Sequence, residues 1–286
     1  MPWRRKSVKR AIENADVLIS SSPHILRKYQ NWTVKKRCAQ IDTIVREEEI
    51  SKLLPDRIED RRIKIVYAAN PSHYTLFNSY ILPVMKDLAE RYANRLQFTF
   101  VGVRPDLDSY KPYFDVRYIK GMPLSEYRAF MQEEQFDIGL APLHDSEFAK
   151  CKYFNKYLEY TLSGIAGVYS KVEPYTYVVK DGENGFLAQN TETDWFQAMC
   201  RAIDDHELRR TVLQNAQAHV RASFNEEKVI KQLTEDIPEL LSMPTNDKKC
   251  PSLNLSKLTY YLMRPMDWFY LVIFYLTKTG LKGFMN

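Results

Sequence analysis

Between residues 63 and 242, short apolar runs alternate with longer stretches of helical period. IKIVYAA at 63–69 reads as a strand buried on both faces, and 75–91 spaces its apolar residues as one amphipathic helix. The next two strands are predicted at 96–103 and 116–121, followed by a helix over 123–134 with Pro123 in its first turn. A strand at 136–143, a helix at 152–163 and a strand at 165–170 come next, then a turn with a short strand at 182–189. Helices over 192–204, 207–222 and 226–241 complete the unit. This alternation predicts an α/β fold, a Rossmann-like, mostly parallel sheet with helices on both faces.

The pattern on either side of this unit is different. Residues 1–60 offer a basic helix at 6–14, a strand at 16–20, a helix at 24–29 introduced by Ser21-Ser22-Pro23, and an apolar alternation at 38–45. A charged connector at 46–62 leads into the main unit, 61–242. A polar break at 238–251 opens the last region, 243–286, which is predicted to be a linker and an amphipathic helical tail dense in aromatic residues. Its longest apolar run, 268–276, is far shorter than the ~20 residues a spanning helix needs. Lys257, Arg264, Asp267, Lys278 and Lys282 bracket the apolar parts. The tail reads either as an interfacial helix on a membrane surface or as a terminal helix packed on protein.

Composition narrows the function classes. Of 286 residues, 45% are hydrophobic and 27% charged, as expected of a folded chain, and the net charge of +5 favours an anionic ligand or membrane surface. No nucleic-acid-binding module is present, so nucleic acid is not an expected partner. Cys38, Cys151, Cys200 and Cys250 show no C-x-x-C spacing, which argues against a zinc site or disulfide framework. The first residues lack an apolar stretch of signal-peptide length, and a cytoplasmic location is expected, with a peripheral place on the inner membrane face if the tail binds lipid.

Candidate chemistry concentrates at 139–189, which holds Gly139, Gly164, Gly167, Gly182 and Gly185 of only nine glycines. Lys152, Asn155, Lys156 and Glu159 stand at i, i+3, i+4 and i+7, so a continuous helix would align them on one face. A carboxylate there can accept the hydroxyls of a ribose, and lysines near a helix start can meet phosphate. The same spacing also describes an ordinary surface Lys–Glu pair. Asp106 and Asp108 mimic a metal-binding D-x-D pattern but read better as a turn, so no metal is expected. His73, His144, His206 and His219 are dispersed with no nucleophile to serve. Tyr153 and Phe154 could stack on a base or sugar, or belong to the core.

The surrounding residues carry a resemblance. Ala141-Pro142-Leu143, Asp145, Phe148, Lys152 and Asn155-Lys156-Tyr157-Leu158-Glu159-Tyr160 are followed by Gly164-Ile165 and Val168-Tyr169-Ser170. Glu173-Pro174-Tyr175 and Lys180-Asp181-Gly182-Glu183-Asn184-Gly185-Phe186 complete the series. Together they resemble the carboxy-terminal, donor-binding domain of the retaining B-type (two-Rossmann-domain) bacterial glycosyltransferases of polysaccharide and lipopolysaccharide synthesis. The resemblance runs from about residue 16 to 224. It implies transfer of a sugar from a nucleoside-diphosphate sugar to a glycan or lipid-linked acceptor, with no cofactor and no essential metal. It places Glu159 on the donor ribose and implies a donor site of Glu159, Lys152, Lys156, Asn155, Asn70, Ser72, His73 and Lys120. Cys151 stands where the family has a first glutamate, and Asn70, Ser72 and His73 stand where it has basic residues, so phosphate binding shifts toward Lys152 and Lys156. Residues 1–60 match only the end of an acceptor domain, which implies a fragment, a split enzyme or a partner chain that supplies the rest. A non-catalytic nucleotide-sugar-binding or scaffold subunit is the alternative.

Overall fold

Ile63 to Ala68 turn their side chains alternately to two cores. Ile63, Ile65 and Tyr67 join one apolar cluster, whereas Val66 and Ala68 join the other. A strand in that position must be covered on both sides, and the chain around it supplies the cover. The computed structural model describes residues 2–33, 37–51 and 62–241, with the backbone alone for residues 2–5 and Ser72. The predicted tail at 243–286 and most of the connector lie outside the described residues.

In chain order the elements are α1 (Pro2–Glu13), β1 (Leu18–Ser20), α2 (Pro23–Tyr29), β2 (Cys38–Gln40), β3 (Ile63–Ala68), α3 (Tyr74–Tyr80) and α4 (Met85–Tyr92). Then come β4 (Leu96–Val101), β5 (Asp115–Ile119), α5 (Leu124–Glu133), β6 (Ile138–Ala141), α6 (Glu147–Lys150) and α7 (Asn155–Leu162). The described part ends with β7 (Ala166–Ser170), β8 (Phe186–Ala188), α8 (Glu192–Asp204), α9 (His206–Ser223), α10 (Glu226–Asp236) and a 3₁₀ turn at Pro238–Leu241. Six strands form one parallel sheet in the order β5-β4-β3-β6-β7-β8. The strand order reverses between β3 and β6, the arrangement in which α/β sheets open a crevice at their carboxyl ends. Residues of α3, α4 and α8 fill the core on one face of the sheet; residues of α5, α7 and α9 fill the other.

The structure departs from the predicted elements where a single residue interrupts the rhythm. The helix expected over 75–91 is two, α3 and α4, joined by a 3₁₀ turn at Leu82–Val84, because Pro83 has no N–H to donate inside a helix. Pro238 likewise ends α10 well before residue 241. The alternation at 38–45 yields a strand only over Cys38–Gln40. The helix expected from Lys152 starts at Asn155: the Ser146 side chain caps the short α6, and the chain then turns to bury Phe154 before α7 begins.

β1 and β2 form a separate two-stranded parallel sheet. This amino-terminal unit is tied to the main one by backbone bonds from Val45 to Phe224 and from Ser51 to Leu162, both 2.8 Å. The Ser22 hydroxyl, which also accepts from the Ile25 N–H at the start of α2, donates to the Lys150 carbonyl at 3.2 Å. Arg27 and Lys28 of α2 pair with Glu173 and Glu147.

Two small residues set the distance of α7 from the sheet. Gly139 on β6 pairs in register with Gly167 on β7. The Tyr160 ring lies across Gly139 and donates its hydroxyl to the Leu140 carbonyl at 2.8 Å, while the Tyr169 ring covers Gly167. A methyl group on Gly139 would stand 2.6 Å from the Tyr160 ring. Gly139→Ala is therefore expected to destabilise the protein by about 1–3 kcal/mol, the range for overpacking a tight core. An unchanged midpoint in urea denaturation would show that Tyr160 can be displaced without penalty.

Candidate functional site

The carboxyl ends of β3 and β6 open into a cavity of about 730 Å³. Beyond β3 the chain runs through Ala69 and Asn70 into a 3₁₀ turn at Pro71–His73. The turn is held from below: the buried Tyr67 hydroxyl donates to the His73 carbonyl at 3.0 Å, and the Ala69 N–H bonds the Val101 carbonyl at 3.0 Å. Gly102, at the end of β4, has φ +77°, and a Cβ there would collide with the Ala69 carbonyl oxygen. The opposite wall is Ala141-Pro142-Leu143, pinned by a closed set of bonds. The Leu143 N–H bonds the Ser170 hydroxyl, that hydroxyl donates to Asn190 Oδ1, and Asn190 Nδ2 donates to the Leu143 carbonyl, all within 2.9 Å.

Six of the eight residues expected at a donor site line this cavity: Asn70, His73, Lys152, Asn155, Lys156 and Glu159. Lys152 precedes α7 rather than sharing its face, so it reaches the cavity from the loop beside the helix start. Asn155 opens the helix, and Lys156 and Glu159 follow along it. Lys120 lines an adjoining cavity of about 540 Å³ with Tyr74, Arg104 and Tyr118. Ser72 contributes its backbone to the 3₁₀ turn; its side chain lies outside the description. Tyr153 lines the main cavity but binds Asp42 through its hydroxyl at 2.9 Å, and Phe154 is buried in the core.

Electrostatics at the mouth favour an anion. Lys152 Nζ lies 3.3 Å from His73 Nε2 and donates to it, which puts the imidazole proton on Nδ1. Burial lowers the His73 pKa from its ordinary 6.5, and the charges of Lys152 and then Lys156 lower it further. Burial also lowers the pKa of Lys152. Glu159 accepts from Lys156 at 2.5 Å and from the Tyr127 hydroxyl at 3.1 Å. Tyr127, on α5, also lines the cavity, as do Gly121, Met122 and Leu124 before and at the start of that helix. Sequence reasoning missed Tyr127 because it is 32 residues from Glu159 and belongs to a different element. Asn190 was missed for the same reason.

The remaining candidates have local roles. Asp106 accepts from the Asp108 N–H, and Asp108 pairs with Lys111 at 2.6 Å, an arrangement that shapes a turn. His144 meets the Tyr80 hydroxyl at 2.6 Å on the exposed loop after β6. Among the described residues, no group of three or more His, Cys, Asp or Glu side chains is gathered around one point, and no helix is long and apolar enough to cross a membrane.

No family model matches the sequence, and no curated protein matches it. Solved structures do. Sucrose-phosphate synthase from Thermosynechococcus elongatus superposes with a TM-score of 0.62 at 17% identity, over 85% of this chain and 62% of that one. The Anabaena protein HepE, in complex with UDP-glucose, gives 0.59 at 15%, over 84% and 67%. The pneumococcal O-GlcNAc transferase GtfA, in complex with UDP and GlcNAc, gives 0.55 at 15%, over 85% and 48%. These likenesses establish the fold. It is the Rossmann-like α/β fold found in B-type glycosyltransferases. This chain spans 62% of the length of the synthase and less of GtfA.

The charge on Lys152 gives His73 a measurable signature. Because the folded-state pKa of His73 is depressed, its neutral ring contributes stability in full above pH 6.5, and that contribution is lost as pH falls through 6.5 toward the folded value. Lys152→Met removes the cation and keeps the bulk. The His73 pKa, read from the pH titration of its ring proton by NMR, is expected to rise toward 6.5 in that variant. An unmoved value would show that Lys152 does not contribute to the depression.

Proposed function

We propose that residues 61–242 bind the nucleoside-diphosphate sugar of a glycosyl transfer reaction, and that the protein works in the synthesis of a cell-envelope glycan. The observation that carries this reading is the cavity at the point of strand reversal, where α7 brings Asn155, Lys156 and Glu159 together with Lys152 and His73. In this reading Glu159 accepts the ribose hydroxyls. The diphosphate lies against Lys152, His73 and the start of α7, where helix N–H groups add partial positive charge. Bond cleavage leaves negative charge on the departing diphosphate, and the preorganised Lys152 charge and helix N–H groups stabilise it. That contribution needs no bound metal, and the reading assigns the enzyme to the retaining class. HepE and GtfA hold UDP or a UDP-sugar in their structures, which makes uridine compounds the first probes to try. The acceptor, a glycan or lipid-linked sugar, belongs to a second Rossmann-like unit. In a split enzyme, a partner chain would supply that unit. The tail at 243–286 would hold the assembly against the cytoplasmic face of a membrane.

Two measurements test the donor site. In a folded Glu159→Ala variant, UDP affinity by calorimetry is expected to fall by about 1–3 kcal/mol, the cost of losing hydrogen bonds to a charged group. Unchanged affinity would remove Glu159 from the site. UDP binding is also expected to survive EDTA. Loss of binding in EDTA with recovery in Mn²⁺ would overturn the metal-independent reading and return attention to Asp106 and Asp108.

A further inference from the structure

Glu159 and Lys156 are joined in the cavity wall by a third group from a different helix. Lys156 Nζ donates to Glu159 Oε2 at 2.5 Å and to the Tyr127 hydroxyl oxygen at 3.2 Å. Tyr127 in turn donates its one proton to the same Glu159 Oε2, at 3.1 Å. The three groups close a ring of hydrogen bonds in which the tyrosine acts once as donor and once as acceptor. The Lys156 ammonium also sits 5.3 Å from the Tyr127 ring centre and 5.7 Å from that of Tyr160.

The geometry has a consequence for the carboxylate. Both hydrogen bonds to Glu159 fall on Oε2, which leaves Oε1 as the oxygen a ligand can use. An i,i+3 Lys–Glu pair on a helix surface holds no single geometry, since each long side chain has many rotamers and the pair stabilises the helix only weakly. Tyr127 reduces that freedom. Its ring packs against the second core cluster, and its hydroxyl is fixed by α5 rather than by α7. Burial and the neighbouring Glu159 charge push the phenol pKa up, so it remains a proton donor at neutral pH. Lys156 meanwhile neutralises the carboxylate, which lowers the repulsion between Glu159 and a bound diphosphate.

Resting on the donor-binding reading above, we infer that Tyr127 is a positioning residue: it locks Glu159 so that Oε1 faces the ribose hydroxyls of the nucleotide. A merely structural tyrosine would affect all ligands of the cavity alike. A positioning one acts through the ribose.

The test is calorimetry with UDP, GDP and ADP and the 2′-deoxy form of each, on the full chain and on Tyr127→Phe. The native protein is expected to prefer the ribose form of whichever base it binds best. In Tyr127→Phe, affinity for that form is expected to fall about fivefold, the scale of one hydrogen bond, while the 2′-deoxy form is nearly unaffected. Tyr127→His, which returns an N–H donor to the position, is the second variant and is expected to recover part of the ribose preference. Equal losses for both forms, or an unchanged preference in both variants, would overturn the positioning role. Two outcomes separate the layers. If Glu159→Gln weakens binding and Tyr127→Phe does not, the donor site stands and the positioning role falls. If the native protein binds none of the three diphosphates, the donor reading fails and takes this one with it.

Discussion

Two glycines facing each other across β6 and β7 decide where α7 can sit, and α7 decides where the crevice chemistry is. Because Gly139 and Gly167 present no side chain to that face, the rings of Tyr160 and Tyr169 lie directly on the strands. Tyr160 then anchors to the Leu140 carbonyl one residue from the sheet's carboxyl end. Tyr157, one turn earlier, is tied through its hydroxyl to His219 of α9 and to Asn184, at 2.8 and 3.2 Å. With these two tyrosines fixed on its inner face, the helix can present Lys156 and Glu159 only at the edge that looks into the cavity. The position of the carboxylate is therefore a packing result before it is an electrostatic one.

The cavity mouth adds the opposite kind of order. Lys152 is half-buried and leans on a neutral histidine, an arrangement that costs solvation without returning an ion pair. Lys156, by contrast, is already neutralised by Glu159. The site thus holds one compensated cation and one uncompensated one beside it, and an anion entering the crevice would find its counter-charge already desolvated. For the anion-binding role proposed above, that is preorganisation, achieved by leaving one lysine without a carboxylate partner among the described residues.

Much of this was legible in the sequence, for identifiable reasons. Parallel strands buried on both faces appear as continuous apolar runs, so 63–69, 96–103 and 165–170 announced β3, β4 and β7. The pairing of Lys156 with Glu159 was legible because helical spacing is a local property. Helix interruptions at Pro83 and the late start at Asn155 were not read, since the apolar rhythm continues across both breaks. Lys152 was assigned to the helix face on that account, although it reaches the cavity from a loop. Lys120 was grouped with the main site, but it lines the adjoining cavity, which shares Gly121 with the main one. Tyr127 and Asn190 left no signal, because each meets its partner only through the fold.

The contacts of α2 bear on how the crevice is framed. Its His24 stands between Glu147 and Glu173, at 3.2 and 3.7 Å, while Lys28 reaches the first carboxylate and Arg27 the second. Glu147 belongs to α6, on the segment that leads to Lys152, and Glu173 to the loop that leads to the cavity-lining Tyr175. One short helix thus spans two separate edges of the opening mainly through charged groups, with Arg27 also donating to the Tyr177 hydroxyl at 2.7 Å and with Arg27 and Glu147 well exposed to water. Dissolved ions weaken attractions of this kind far more than they weaken the buried tyrosine contacts beneath α7. The rim of the crevice and its floor consequently answer to different solvents: the rim to ionic strength, the floor to agents that dissolve apolar cores.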